Sequence, residues 1–186
     1  GMNGAKFRAR YGVVGLSIVL KDFVVEGLNE AGLSAGLFYF PHYGNYPAYD
    51  AKQNTRTVAD LQLVAWMLSQ FSTIEEIKAA MQDIRVVSVD TTGASSTVHW
   101  RIGDANGRQV VLEFVDGVPC FYENEIGVLT NSPGFPWQMT NLNNYVNLYP
   151  GGAEAHQLGG VTIFPFGAGS GFQGIPGDVT PPSRFV

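Results

Sequence analysis

The chain predicts an α+β fold in which helices are layered on antiparallel sheets. Three observations predict it. Short apolar segments of strand length recur in two groups, Tyr11 to Phe40 and Ile84 to Thr130. Between them, from Thr57 to Met81, the apolar spacing changes to three and four, the period of a helix. The order sheet, helix pair, sheet, helix is segregated rather than alternating as βαβ units.

The first group reads as a meander. Tyr11 to Leu20 and Asp22 to Leu28 are rich in Val, Ile and Leu and turn at Lys21-Asp22. Asn29-Glu30-Ala31-Gly32 makes a polar turn, and Leu33 to Phe40 returns as a third strand. Pro41 to Asp50 then packs three tyrosines, two prolines and a glycine into ten residues. Such a loop either lines a pocket or covers a core edge.

From Thr57, the residues Val58, Leu61, Ala65, Leu68 and Phe71 mark one face of a helix that Thr57 and Asp60 can cap. Trp66 and Met67 make it apolar almost all round, so more than one side is covered. A second helix follows, with Thr73 and Glu76 in a capping-box pattern and Ile74, Ile77 and Met81 as its stripe.

Strands resume at Ile84 to Val89. Val98, Trp100 and Ile102 alternate with polar residues, Asn106-Gly107 supplies a hairpin turn, and Val110, Leu112 and Phe114 return. Asp116-Gly117 turns again into Val118 to Tyr122, and Ile126 to Thr130 completes a second meander. Pro133 and Gly134 break that last strand, and Pro136 opens a helix. Asn131 therefore lands at a strand end, where a carboxamide offers two N–H donors without charge, a suitable partner for an oxyanion. Asparagine also serves as a plain turn residue, and residue chemistry alone favours that reading.

With 186 residues, 45% hydrophobic and 15% charged, the chain is long enough for one globular domain with a sizeable core. A net charge of -5 without any basic run disfavours nucleic acid or an anionic membrane as partner. No apolar run reaches the length of a bilayer span. Cys120 is the single cysteine, so no internal disulfide forms and the compartment stays open, with the cytoplasm favoured and a periplasmic or secreted product allowed if a leader lies upstream. Gly1-Met2 reads as a tag remnant before a start methionine, and the ending at Val186, just after a proline-serine helix-start signal, reads as the middle of something larger. Residues 150–182 are dense in glycine and proline yet carry Val161-Thr162-Ile163-Phe164, the composition of a functional loop or interface arm.

Other patterns carry little. Gly169 to Gly174 matches a dinucleotide fingerprint literally, but Ile175-Pro176-Gly177 follows where a helix must receive the phosphates. His42, His99 and His156 lack paired spacing, so neither metal nor cofactor is expected. Cys120 and His99 as nucleophile and base give way to a buried structural thiol, because Cys120 sits mid-strand between Pro119 and Phe121.

Three segments together resemble the choloylglycine hydrolase family, which includes bile salt hydrolases and penicillin V acylases. They are Gly27 to Leu33, then Leu129-Thr130-Asn131-Ser132-Pro133 with Leu142-Asn143-Asn144-Tyr145, and finally Gly174 to Val186. The resemblance implies an N-terminal-nucleophile hydrolase with a four-layer αββα sandwich, incomplete at both ends here. It implies that a cysteine at the mature N-terminus attacks a linear amide with its own α-amine as base. The position of Asn29 then contributes to the oxyanion hole through its backbone N–H, Asn131 through its side chain, and Arg184 lies near the nucleophile. Phe40, Tyr43 and Tyr46 are expected to hold an apolar acyl group. The family's nucleophile precedes the region matched, so the chain as given is expected to be inactive. The implied substrate is a small-molecule amide. Asparagine at position 29 leans towards bile salts, since some penicillin acylases of the family place tyrosine there, and acyl-homoserine lactone cleavage stays open. The arm at residues 150–182 implies a homo-oligomer. The alternative of another class is an inactive truncated fragment that folds by self-association.

Overall fold

The computed structural model describes residues 4–89, 97–144 and 154–164. The chain divides into two compact units, Gly1–Pro133 and Gly134–Val186.

The first unit is organised on strands β1 (Val13–Ser17), β2 (Val24–Asn29), β3 (Ser34–Tyr39), β4 (Thr57–Ala59), β5 (Arg85–Val87), β6 (Val98–Gly103), β7 (Gln109–Val115) and β8 (Val118–Glu123). Six of them form one antiparallel sheet in the order β1-β2-β3-β6-β7-β8. The two expected meanders are thus halves of one sheet, joined where β3 pairs with β6 (Ala35↔Ile102, Leu37↔Trp100). That register puts their apolar side chains on one face. Against it pack helix α1 (Leu63–Gln70) and helix α2 (Ile74–Ala80), with Leu63, Met67, Leu68, Ile74 and Ile77 wholly buried. Each contributes about 1.5–3 kcal/mol by leaving water.

The helix expected from Thr57 starts later. Thr57–Ala59 is β4, paired in parallel with β5 (Val58↔Val86), and a 3₁₀ turn over Asp60–Gln62 leads into α1. The buried Asp60 carboxylate explains the delay. It accepts from the N–H groups of Leu61 (2.8 Å) and Val89 (2.9 Å), tying the helix entry to the residues after β5. Burial pushes its carboxyl above the usual aspartate range. The next helix begins as the capping pattern predicts: Thr73 Oγ1 accepts from the Glu76 N–H at 3.2 Å. The Glu76 carboxylate reaches back to the Ser72 N–H at 2.8 Å, one residue earlier than the motif requires, and that bond lowers its pKa.

The β6–β7 connection departs by one residue from a two-residue Asn-Gly turn. Asp104 N–H donates to Arg108 O at 3.1 Å around a three-residue loop, with Gly107 at φ +83°. Asp116 and Gly117 both take positive φ (52° and 78°), the tight hairpin turn expected between β7 and β8. The strand expected at Ile126 to Thr130 does not form. Residues 124–131 run as a loop pinned by side chains, beginning with Asn124 Nδ2 on Val128 O at 3.2 Å.

In the second unit, α3 (Phe135–Asn141) carries Pro136 in its first turn. Strands β9 (His156–Leu158) and β10 (Val161–Ile163) form a hairpin, so the described part of the glycine-rich segment has its own structure. A cavity of about 320 Å³ lies between α3 residues such as Met139 and the β10 residues Val161 and Ile163. Arg184 and most of residues 150–182 fall outside the described residues. Among the described residues, no helix is long and apolar enough to cross a membrane.

Candidate functional site

The far end of β3 gathers the site. Phe40 N–H donates to Thr97 O at 2.7 Å, continuing the ladder to β6. Backbone N–H groups alternate in direction along a strand, so Tyr39 N–H turns to the opposite edge. There β2 has already ended its pairing at Glu26↔Gly36. Asn131 fills that ladder position: its Oδ1 accepts from Tyr39 N–H at 3.0 Å. With Oδ1 facing the strand, the carboxamide's NH2 end points away from it.

The residues around Asn131 are fixed by further bonds. Ser132 Oγ donates to Pro41 O at 3.1 Å, and His99 Nε2 donates to Thr130 O at 2.8 Å. His99 is itself fully buried on β6, with Nδ1 3.0 Å from Glu113 Oε1 on β7. Phe40 stacks on the His99 ring at 4.2 Å with the planes 7° apart. Tyr43 lies on the other side of Phe40 at 5.7 Å and is 54% exposed.

Asn29 is not part of this cluster. Its side chain is buried at the opposite end of β3 and makes four hydrogen bonds. Nδ2 donates to Leu68 O (2.8 Å) and Phe71 O (2.7 Å), and Oδ1 accepts from the Ala31 N–H (3.1 Å) and Leu33 N–H (2.9 Å). Its backbone N–H, the expected oxyanion donor, is bonded to Leu33 O at 2.9 Å. Six residues of extended strand, about 20 Å, separate it from Tyr39. Asn29 and Asn131 cannot face one oxyanion, and the expectation that they do is corrected: the backbone N–H brought to Asn131 is that of Tyr39.

The three aromatic residues also separate. Tyr46 is a core residue. Its hydroxyl donates to Val98 O (2.7 Å) and accepts from Val98 N–H (2.9 Å), its ring packs on Trp100 and Phe114, and burial drives its pKa far above the usual tyrosine value. Phe40, 1% exposed, is packing behind the site, which leaves Tyr43 as the exposed one of the three. Cys120 stands across from Glu113 in the β7–β8 register, with its thiol directed to Val118 O at 3.7 Å. A cavity of about 1120 Å³ in this unit is lined by Tyr11, Val13, Val58 and Ala65 among others, and none of Tyr39, Phe40, Tyr43 or Asn131 lines it. Among the described residues, no group of three His, Cys, Asp or Glu side chains is placed to hold a metal.

Sequence reasoning missed Tyr39, His99 and Glu113. A signal existed for the last two: a lone carboxylate inside Val110-Val111-Leu112-Glu113-Phe114-Val115 needs a partner when buried. The partner follows only from the three-residue turn, because a slip of one residue moves His99 from opposite Glu113 to opposite Phe114.

The arrangement of antiparallel strands and helices is shared with known amide hydrolases. A model of the linear amide C–N hydrolases, choloylglycine hydrolase family, matches residues 1–186, and the chain belongs to that family. The bile salt hydrolase/transferase of Clostridium perfringens is 34% identical over 99% of this chain and 57% of its own length. The conjugated bile acid hydrolase of Lactobacillus acidophilus is 33% identical over 94% and 56% respectively. The chain spans little more than half the length of these relatives. A crystal structure of a variant of the Clostridium perfringens conjugated bile acid hydrolase superposes with a TM-score of 0.67 at 33% identity, covering 94% of this chain and 54% of that one. Penicillin V acylase from Agrobacterium tumefaciens gives 0.64 at 29% identity, over 78% and 43%. The chain thus carries the N-terminal-nucleophile hydrolase fold over about half of those structures.

Proposed function

We propose that the full-length protein hydrolyses a linear amide joining a bulky apolar acyl group to a small amine, with conjugated bile salts as substrates. The observation that carries this reading is the Asn131 carboxamide held against the Tyr39 N–H at a rigid strand end. In this reading the substrate carbonyl oxygen displaces Oδ1 from the Tyr39 N–H, and the carboxamide turns so that its NH2 donates to the same oxygen. Two such donors stabilise negative charge as it develops on that oxygen. In this reading a cysteine at the mature N-terminus attacks the carbonyl carbon, the amine departs with a proton, and water releases the acyl group from the thioester. By the resemblance, Arg184 matches an arginine that acts near that cysteine. Cys120 is not the nucleophile, so a protein made of these residues alone binds without turnover. The segment 150–182 contributes to a homo-oligomer, and light scattering of a monodisperse monomer at micromolar concentration counts against that part.

A second reading has its own observation. The lean towards bile salts depends on asparagine at position 29, and that residue lies at the other end of β3 from Asn131. The residue beside Asn131 is Tyr39, and tyrosine is what the resemblance gives some penicillin acylases at the position it matches to Asn29. Several relatives named for bile acids at 31–34% identity weigh on the other side, against 26% for the penicillin V acylase of Pectobacterium atrosepticum. Assay of the full-length protein on glycine- and taurine-conjugated bile salts and on penicillin V separates the readings. No amine release from any of them refutes both.

A further inference from the structure

We infer that His99 and Glu113 are positioning residues for Asn131, a role whose kinetic consequence rests on the amidase reading and whose structural consequence does not. A carbonyl oxygen only accepts, so His99 Nε2, 2.8 Å from Thr130 O, carries a hydrogen. Nδ1 then shares a second hydrogen with Glu113 Oε1 at 3.0 Å, as imidazolium against carboxylate or as neutral ring against carboxylic acid. As an acid donating to Nδ1, or as the counter-ion of the imidazolium, Glu113 is compatible with the Nε2 hydrogen that the Thr130 carbonyl demands. Without Glu113, the neutral ring is able to carry its hydrogen on Nδ1, which sets an acceptor against the Thr130 carbonyl.

Packing does not require this pair. An apolar pair of similar volume fills a sheet face at no desolvation cost, whereas two buried ionisable groups carry a desolvation penalty that their mutual attraction must offset. The same face of the sheet is open elsewhere, with Val14 81% and Leu16 69% exposed, yet His99 and Glu113 are 0% and 1% exposed. What the pair holds is a carbonyl in a loop that no ladder supports. That carbonyl belongs to the peptide linking Thr130 to Asn131. The Phe40 ring, stacked on His99, fixes the imidazole plane, and Phe38 meets it edge-on at 6.2 Å. The chain from β7 through β6 to Asn131 is therefore continuous, and it ends at the Tyr39 N–H.

The test uses the full-length protein and reads amide hydrogen exchange beside steady-state kinetics. His99→Phe keeps the ring stack and removes the donor. We expect Tyr39 N–H exchange to rise about tenfold or more while Asn29 N–H, at the other end of β3, stays within about twofold. We expect kcat to fall about 10- to 100-fold with KM within about threefold, since the donor is misplaced rather than lost. Glu113→Leu should reproduce both changes, and Glu113→Gln, whose amide can donate to Nδ1, should restore both towards the unaltered protein. Unchanged Tyr39 exchange in a folded His99→Phe or Glu113→Leu protein overturns the proposal, as does Glu113→Gln behaving like Glu113→Leu. Should neither His99→Phe nor Glu113→Leu fold, the ¹⁵N shifts of His99 in the unaltered protein decide: protonated Nε2 supports the proposal and unprotonated Nε2 overturns it. If the unaltered protein hydrolyses no amide, the proposed function fails while the exchange measurements still decide the positioning role.

Discussion

The two ends of β3 each hold an asparagine, and they use the carboxamide in opposite ways. At the β2–β3 turn, Asn29 is 3% exposed and all its bonds go to backbone groups of the turn and of the end of α1. At the other end, Asn131 is exposed and leans on one strand N–H from a loop. A carboxamide enclosed by backbone donors and acceptors is consumed by folding. One placed in an exposed loop, with its oxygen on a strand N–H, remains within reach of solvent. The same side chain thus serves the fold in one place, and in the proposed function it serves the reaction in the other, with burial as the difference between them.

The sharpest test is Asn131→Ala in the full-length enzyme, expected to lower kcat about 100- to 1000-fold while KM changes little. Its melting temperature should stay close to that of the unaltered protein, because the side chain is exposed. Near wild-type turnover with lowered stability would make Asn131 a turn residue and erase the contrast.

Asn29→Ala should do the reverse. It strands two carbonyls and two N–H groups that the side chain now satisfies, and a loss of about 3 kcal/mol in unfolding free energy is expected. Denaturant titration measures it, with kcat per folded molecule unchanged. A folded, stable Asn29→Ala protein with collapsed kcat would restore Asn29 to the site.

Tyr43→Ala tests how far the exposed end extends. As the exposed aromatic beside Phe40, it is expected to raise KM about 3- to 10-fold, within the range of one partly buried aromatic contact, with kcat little changed. An unaltered KM would remove it from the acyl pocket.

The smallest effect belongs to charges that serve neither end. Arg108 on the β6–β7 loop pairs with Glu75 of α2 and with Glu123 of β8, and Lys78 lies 3.1 Å from Glu123. Its bonds to Arg108, with Lys78 adding, lower the Glu123 pKa to about 2. A depressed carboxylate pKa stabilises the fold above the ordinary glutamate value, and the gain is lost as pH falls from about 4.5 through about 2. Both partners are more than a third exposed, so screening holds the gain to about 1 kcal/mol or less. The melting-temperature gap between the unaltered protein and Glu123→Gln should be small at pH 6 and close near pH 2. A gap that widens on acidification would be inconsistent with this.

Much of the molecule was legible as local pattern. Strand period, the helix pair, the Thr73 cap, the Asp116-Gly117 turn and the helix opening at Pro136 depend on residues within about one turn or one hairpin of each other, and short-range sterics and hydrogen bonding suffice to specify them. The motif residues around Asn131 likewise pointed to the family. What only the tertiary structure decided involves partners far apart in sequence. The union of two meanders into one sheet turns on which edge β3 meets. The helix start at Leu63 rather than Thr57 turns on a parallel pairing with β5 and on Asp60 reaching Val89, 29 residues away. The exchange of Asn29 for Tyr39 beside Asn131 turns on a bond spanning 92 residues, made because β2 ends early and leaves one N–H of β3 for a loop side chain to satisfy. Periodicity fixes which way a side chain points along its own strand. It carries no record of which backbone group a distant loop will find there, because that is set by where neighbouring strands stop.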